Sequence, residues 1–359
     1  MRTIAITSSA SFFGQHLIED LSYLPHISHI VAFDVFQSHY TTDKVTFFRA
    51  DIGHPLIFDI FSSHKVDTVI HLASLRNAFD QRQSINFRAD VSGTIKILEA
   101  CAMAGIRNVI ITSSAAVYGA VPDNPLFLSE DTALNGNRSN QFVKHKIEIE
   151  KLCSDFAIKH PETNICILRL APFLNTTLDF FLTRLWQLPT MLTVLGYDPL
   201  LQLLHEEDLL QVFRLVIEQE IKGIFNVASA GTIPLQKMLR LAQVTPLPLL
   251  SPFVYHFGSL LWSLRLYPAP PEMLDYLRYN CVVSIDKIHS RLGFQPLFTT
   301  DQIMKNLGQV LRLPDREIPG EQGLLPSGVT AREPWFDILN RHLKKTLSSK
   351  TPPPGSYHH

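Results

Sequence analysis

Six short apolar runs recur through the first 170 residues: Thr3–Thr7, His29–Phe33, Thr46–Arg49, Thr68–Leu72, Asn108–Ser113 and Asn164–Leu170. Longer stretches of helical periodicity, such as Gly14–Leu24 and Val91–Ala104, lie between them. Apolar strands that do not alternate with polar residues expect cover on both faces, which only helices packed on each side of a parallel sheet provide. The pattern predicts an α/β fold, a doubly wound parallel sheet. Sheets of this kind take ligands at the carboxyl ends of their strands.

Composition narrows the function classes. The 359 residues carry 32 Lys+Arg against 33 Asp+Glu, a net charge of −1, so no basic surface points to nucleic acid. At 46 % hydrophobic and 18 % charged residues the chain can bury a large core, and its length suits two domains. Cys101, Cys153, Cys166 and Cys281 lie far apart and give neither a disulfide framework nor a zinc ribbon. His26 and His29 have no acidic or cysteine partner nearby, so no metal site is expected. Met1-Arg2-Thr3 runs straight into Ile4-Ala5-Ile6, which reads as a strand rather than a leader, and a cytoplasmic location is the expectation.

Beyond residue 175 the periodicity loosens. Leu241–Leu264 is free of charge, but Pro246, Pro248 and Pro252 interrupt its first half. The helical remainder, about Phe253 to Tyr267, is too short for a bilayer, which needs roughly 20 residues. A buried helix or pocket wall is the favoured reading of 247–267, with a membrane or dimer contact as the alternative. Glu333–Leu347 sets Trp335, Phe336, Leu339, Leu343 and Leu347 on one helical stripe, expected to pack on the body or on a partner. Thr351–His359, with three consecutive prolines, reads as a disordered tail.

The chemistry-bearing motifs follow the strands. After the first run, Ile6-Thr7-Ser8-Ser9-Ala10-Ser11-Phe12-Phe13-Gly14 opens a helix. A phosphate loop in that position uses Gly-x-x-Gly-x-x-Gly for a tight turn, close approach to pyrophosphate and close helix packing. Here Ser8 and Ser11 stand in the first two glycine positions and only Gly14 remains. Asp34 ends the second run, 20 residues beyond Gly14, where a carboxylate accepts ribose hydroxyls and favours NAD over NADP. Asp51-Ile52, His71-Leu72-Ala73-Ser74, Asn86, Gly93-Thr94 and Thr112-Ser113-Ser114-Ala115-Ala116-Val117-Tyr118-Gly119 continue the series. In this order the chain resembles the extended short-chain dehydrogenase/reductase family, the NAD-dependent epimerase/dehydratases of nucleotide sugars. Leu204–Leu209 resembles the family's His-x-x-Asp segment, Gly223–Val227 its following strand, and Asp286-Lys287 with Leu292–Pro296 its closing signature.

The resemblance implies a Rossmann-type domain at 1–175, returning at about 200–230. It implies a substrate domain from 176–199 and 231–312, and leaves 313–359 as an extension with one amphipathic helix and the tail. It implies NAD held by Thr7, Ser8, Ser11, Phe12, Phe13, Gly14, Asp34, Asp51, Ile52, Leu72, Ala73, Ser74, Asn86 and Lys146. It also implies a small-molecule substrate of nucleotide-sugar type; no basic anchor for a diphosphate stands out beyond Arg169, Lys287 and Arg291, which read equally well as surface charges. A homodimer would form through helices near 85–105 and 140–160, where Phe87, Val91, Ile95 and Leu98 recur at helical spacing.

Family members pair a Ser/Thr with Tyr-x-x-x-Lys on a helix, the lysine lowering the tyrosine pKa so that the phenol can exchange the substrate's hydroxyl proton. Ser114 matches the Ser/Thr and Lys146 the lysine, but the tyrosine position is Phe142. His145 is the candidate substitute base, and Tyr118 a structural or substrate-lining residue. Tyr40-x-x-x-Lys44 matches the spacing but stands beside the expected adenosine site. The chain therefore reads as an epimerase/dehydratase or oxidoreductase with an altered centre. The alternatives are a catalytically impaired dinucleotide-binding or scaffold protein and a membrane-associated steroid-type relative.

Overall fold

All six apolar runs are strands in the computed structural model: β1 Arg2–Thr7, β2 Ile27–Asp34, β3 Val45–Arg49, β4 Thr68–His71, β5 Asn108–Ser114 and β6 Asn164–Leu170. Helices α1 Phe12–Ser22, α2 Ile57–Ser63, α3 Ser84–Ala104 and α4 Gln141–Lys159 connect them. The structure describes residues 1–36, 42–72, 84–173, 185, 188–264, 266–267 and 270–310, without the side chains of 84–90 and 307–310. Tyr40, Ala73, Ser74, the side chains of Asn86 and Phe87, much of 176–199 and the extension 313–359 lie outside the described residues.

Successive strand residues point to opposite sides, and both sides are apolar. Ile4, Ile6, Ile30, Ala32, Ile70 and Ile110 meet Phe13, Leu17, Leu21, Val212 and Phe213 on one face. Ala5, Val31, Phe33, Val69, Val109 and Ile111 meet Phe61, Ile97, Cys101, Ile149 and Cys153 on the other. Burial on both faces is why the runs carry no polar alternation.

The strands pair in parallel in the order β3-β2-β1-β4-β5-β6-β9, with the late strand β9 (Gly223–Val227) added beside β6. Strand order reverses between β1 and β4, and a ligand crevice opens outside the carboxyl ends of strands at such a switch point. Helix α5, Glu206–Gln219, packs against α1.

A second core is built from Met191, Leu192, Leu203, Leu235, Met238, Leu239, Val254, Leu261, Leu274, Ile303 and Met304. Strand β7 (Thr190–Val194) pairs in parallel with β11 (Thr245–Leu249), and β8 (Leu200–Leu201) pairs with β10 (Ile233–Pro234). Helices α6 Leu235–Ala242, α7 Ser251–Ser263, α8 Asp286–Leu292 and α9 Thr300–Val310 complete the described chain. Pro246 and Pro248, expected from the sequence to interrupt this stretch, instead lie within β11. The Thr245 N–H donates to the Pro189 carbonyl at 2.9 Å, and the Leu195 N–H to the Leu249 carbonyl at 2.9 Å. Odd-numbered residues of β11 thus face β7, and the prolines, which lack an N–H, face away from it at an edge. Among the described residues no helix is long and apolar enough to cross a membrane.

Candidate functional site

Between β1 and α1 the chain turns sharply at Ser8, whose φ is +54°. This left-handed conformation is what the first glycine of a phosphate loop ordinarily supplies. The Ser8 carbonyl accepts hydrogen bonds from the Ser11 N–H at 3.2 Å and the Ser11 hydroxyl at 2.7 Å. Ser11 Oγ in turn accepts from the Gly14 N–H at 3.0 Å, capping α1. Gly14 is required sterically: a Cβ there would lie 2.7–2.8 Å from the Ser8 and Ser9 carbonyls and Ser11 Oγ. The first turn of α1 carries no acidic residue, so the N–H groups left by the Ser11 cap and the positive dipole end face the turn. Ser9 Oγ is buried with no hydrogen-bond partner among the described residues. An orphaned hydroxyl beside a helix N-terminus fits an anionic group such as pyrophosphate.

The sequence-predicted residues fall into distinct groups around this turn. Asp34 is buried where β2 ends; its Oδ2 accepts from the Ala10 N–H at 2.9 Å and its Oδ1 from the Phe36 N–H at 3.0 Å. Thr7 and Phe13 turn their side chains inward, Thr7 to His71 and Phe13 to Phe173 and Phe213. They offer the crevice only backbone. Phe12 packs edge-on against His16. Asp51 is exposed and accepts from the Gly53 N–H at 2.7 Å, while Ile52 fills the space against Gly93. Leu72 is buried.

At the far end of the crevice, β5 delivers Ser114, whose Oγ accepts from the Ala116 N–H at 3.2 Å and caps the short 3-10 turn Ala115–Tyr118. Asn140 caps α4 by accepting from the Val143 N–H at 3.2 Å. Phe142, His145 and Lys146 follow on the first turns of α4, all buried. Lys146 Nζ donates to the Thr112 carbonyl at 3.0 Å and lies 5.7 Å from the centre of the Phe142 ring. That ring packs with Val143, Ala116 and Ile147. Thr112 Oγ1 is a second orphaned buried hydroxyl, here at the reaction end.

His71, at the end of β4, is wholly buried between the Thr7 hydroxyl (Nδ1, 2.7 Å) and the Thr94 hydroxyl (Nε2, 2.9 Å). Burial, reinforced by the Lys146 charge, pushes its pKa down to about 3, so it is neutral at ordinary pH. A neutral imidazole has one donor and one acceptor nitrogen, which two hydroxyls satisfy.

Two tyrosines of this region have their hydroxyls hydrogen-bonded. The fully buried Tyr118 donates to Asn226 Oδ1 at 2.7 Å and accepts from Arg169 Nη1 at 2.8 Å; burial raises its pKa. Tyr276 donates to the Ala116 carbonyl at 3.0 Å, and burial raises its pKa as well. Arg169 is no diphosphate anchor: it is buried and forks onto Glu150, with Nη2 to Oε2 at 2.7 Å. Lys287 lies 5.3 Å from the Phe225 ring centre, and Arg291 is exposed on α8.

The His205-x-x-Asp208 segment is a joint. Asp208 accepts from the Ser229 hydroxyl and from the Leu297 N–H, and the His205 ring stacks on Phe298 with centres 3.6 Å apart. Sequence reasoning missed Arg278. Its guanidinium sits 4.8 and 4.7 Å from the Tyr197 and Tyr279 ring centres, with Nη2 donating to the Tyr197 hydroxyl at 3.1 Å. Hydrogen bonding to Tyr197 raises its pKa further, and no ion pair joins it to a carboxylate among the described residues. No local motif marks it, because Tyr197 is 81 residues away in the chain. No group of three His, Cys, Asp or Glu among the described residues is placed to hold a metal ion.

Comparison with known proteins adds to this geometry. An uncharacterised protein of Mycobacterium tuberculosis is 29 % identical over 305 residues, 83 % of this chain and 81 % of its own length. The UDP-glucose 4-epimerase of Yersinia enterocolitica is 30 % identical over 180 residues, 46 % of this chain and 52 % of that protein. Among solved structures, the Thermus thermophilus UDP-glucose 4-epimerase in complex with NAD matches with a TM-score of 0.66 at 17 % identity, covering 87 % of this chain and 100 % of that one. The Bacillus cereus UDP-glucuronic acid 4-epimerase, bound to UDP-glucuronic acid and NAD, matches with a TM-score of 0.66 at 18 % identity, covering 86 % and 98 %. The sequence profile of the NAD dependent epimerase/dehydratase family matches residues 4–228, from the first residues of β1 to the end of β9. That span is more than half of the chain and takes in the phosphate turn, Asp34, Ser114 and Lys146; the chain belongs to the NAD dependent epimerase/dehydratase family.

Proposed function

We propose that the chain binds NAD(H) together with a nucleotide-sugar-like ligand, and that it carries out the family's oxidoreductase or epimerase chemistry slowly because its proton-transfer phenol is missing. The observation that carries this reading is the buried Lys146 with a phenyl ring, that of Phe142, one helical turn before it. A phenyl ring exchanges no proton, and loss of a general acid/base costs about 10²–10⁴ in rate. When bound, the nicotinamide supplies a hydride acceptor or donor. The residues' own part is to bind and orient. The N-terminus of α1, with the Ser9 hydroxyl, takes the pyrophosphate, while Ser11 holds the turn in shape. Asp34, which accepts from the Ala10 and Phe36 N–H groups at the carboxyl end of β2, is the carboxylate placed for the ribose hydroxyls. Its charge opposes a 2′-phosphate. Arg278, held by tyrosine rings and free of a carboxylate partner among the described residues, is the cation suited to a diphosphate.

Calorimetric titration with NAD, NADP and UDP, followed by turnover assays over UDP- and dTDP-sugars, tests the reading. The expected outcome is NAD bound at least about tenfold more tightly than NADP, a preference of about 1.4 kcal/mol, with UDP bound and turnover slow. Equal affinity for the two dinucleotides would overturn the role of Asp34, and no binding of either at millimolar concentration would overturn the whole reading. Rapid turnover abolished by His145→Ala would make His145 the base. A homodimer through α3 and α4, which pack side by side, belongs to the same proposal. Leu98 is turned into the core and Ile95 outward, so only part of the apolar stripe is available for it. A monomer by light scattering at micromolar concentration would remove the dimer.

A further inference from the structure

Helix α7 presents two apolar faces, and only one is covered. Val254, Gly258 and Leu261 face the second core. Roughly 100° around the helix, at the 253, 260 and 264 positions of one line, Phe253, Leu260 and Leu264 are 64 %, 52 % and 38 % exposed. Leu250, which precedes the helix, and Leu195, whose N–H bonds the Leu249 carbonyl, extend the strip at 57 % and 54 % exposure. Single exposed apolar residues are ordinary; five large ones gathered along one helix mark a surface that something covers.

The rest of the chain supplies a cover of matching form. Helix α9, the last described element, places Ile303 and Met304 in the same core cluster as Val254 and Leu261, so the segment that follows it in sequence is tethered to the domain that carries the strip. Residues 311–359 follow, and within them Trp335, Phe336, Leu339, Leu343 and Leu347 recur at helical spacing, opposite Asp337, Arg341, Lys344 and Lys345. At 1.5 Å per helical residue the strip from Phe253 to Leu264 is about 16 Å long, and Trp335 to Leu347 measures about 18 Å. The 22 residues of 311–332 span about 25 Å on average as a free chain, enough to hold the second stripe near the first at millimolar effective concentration.

We propose that the exposed strip of α7 is the docking site for the chain's own segment 333–347. The alternatives fit less well. A helix that binds a lipid surface carries Lys or Arg along its polar flank, whereas no charged residue occurs from Leu241 to Leu264. A second copy needs about 1,200–2,000 Å² of buried surface for a stable dimer, more than a strip one helix wide provides.

Hydrogen exchange on the full-length protein tests this, comparing wild type with Leu339→Asp/Leu343→Asp. The expected result is exchange through 251–263 at least about tenfold faster in the variant, with the sheet unchanged. Unchanged exchange through 251–263 overturns the proposal. A second full-length variant, Leu260→Cys/Leu339→Cys with the half-buried Cys281 replaced by Ser, is oxidised and mapped by mass spectrometry; Cys101, Cys153 and Cys166 are buried and stay out of the reaction. A 260–339 disulfide within one chain supports docking in cis. A disulfide formed only between chains overturns it in favour of a second copy. Flotation of the wild type with phosphatidylcholine/phosphatidylglycerol vesicles, lost on Phe253→Asp, overturns it in favour of a lipid surface.

Discussion

The two ends of the proposed crevice carry Ser8 and Phe142 where the resemblance places a glycine and a tyrosine, with different consequences. At the phosphate end Ser8 stands where the resemblance places a glycine, and the backbone still turns with a φ of +54°. The substitution costs conformational energy, but the Ser8 carbonyl, Ser11 cap and Gly14 cradle remain in place. At the end proposed for the reaction, Phe142 stands where the resemblance places a tyrosine, and it packs with Val143, Ala116 and Ile147. What it lacks is a titratable group. A geometric requirement can be met by a less suited residue at about 1–2 kcal/mol, whereas a proton-transfer requirement is met by a functional group or not at all.

The sharpest way to break this comparison is Phe142→Tyr. Lys146 and Ser114 are already present, and adding one hydroxyl is a small steric change. Turnover over the nucleotide-sugar panel is expected to rise about 10²–10⁴-fold, and to fall back in Phe142→Tyr/Lys146→Met. Rates equal to wild type in the single variant would place the defect elsewhere.

Next in size is Gly14→Ala at the phosphate end. The new Cβ would meet two backbone carbonyls that belong to the turn and cannot rotate away. Chemical denaturation is expected to show a loss of about 2–3 kcal/mol, with dinucleotide affinity reduced in parallel. Unimpaired binding would mean the turn opens when ligand enters.

The same contrast explains how far the sequence is informative. The first six of the seven sheet strands are legible because β1, β2, β4 and β5 must be apolar on both faces, and that requirement is written into consecutive residues such as Ile4, Ala5 and Ile6. Asp34 is legible for the same reason: it ends a recognisable strand. Strand β11 is hidden because its sequence, Thr245-Pro-Leu-Pro-Leu249, contains the residues that normally exclude a strand, tolerated only because their missing N–H groups face an edge. Arg169, a plausible surface cation by composition, is buried because Glu150 and Tyr118 reach it from 19 and 51 residues away. Arg278 depends likewise on Tyr197. Pairings at such separations leave no local periodicity to read.

A third test concerns acid. His71 is held neutral in the fold, with its pKa pushed down to about 3, while an unfolded chain would protonate it near 6.5. Below about pH 6.5 the unfolded state therefore binds a proton that the folded state refuses. Stability supplied by this site is complete above that pH and falls as pH drops towards about 3, by up to about 1.4 kcal/mol per unit. Urea midpoints for wild type and His71→Gln between pH 7 and 5 check it: the wild type should lose stability more steeply than the variant. Parallel slopes would show that other groups dominate the acid response.

The smallest effect sharpens the comparison most directly. Ser8→Gly removes the Cβ from a left-handed position, relieving about 1–2 kcal/mol of strain, while a glycine makes the unfolded chain more flexible by about 0.5–1 kcal/mol. The difference leaves a net gain of about 0.5–1 kcal/mol. The Ser8 side chain makes no hydrogen bond that the substitution would remove; the contacts to Ser11 use its carbonyl, which glycine retains. Thermal unfolding should therefore move up by a few degrees, and dinucleotide affinity should stay the same or rise. Lower stability would show that the serine hydroxyl holds the turn together. In that case the phosphate end, like the reaction end, would depend on a functional group rather than on backbone shape alone.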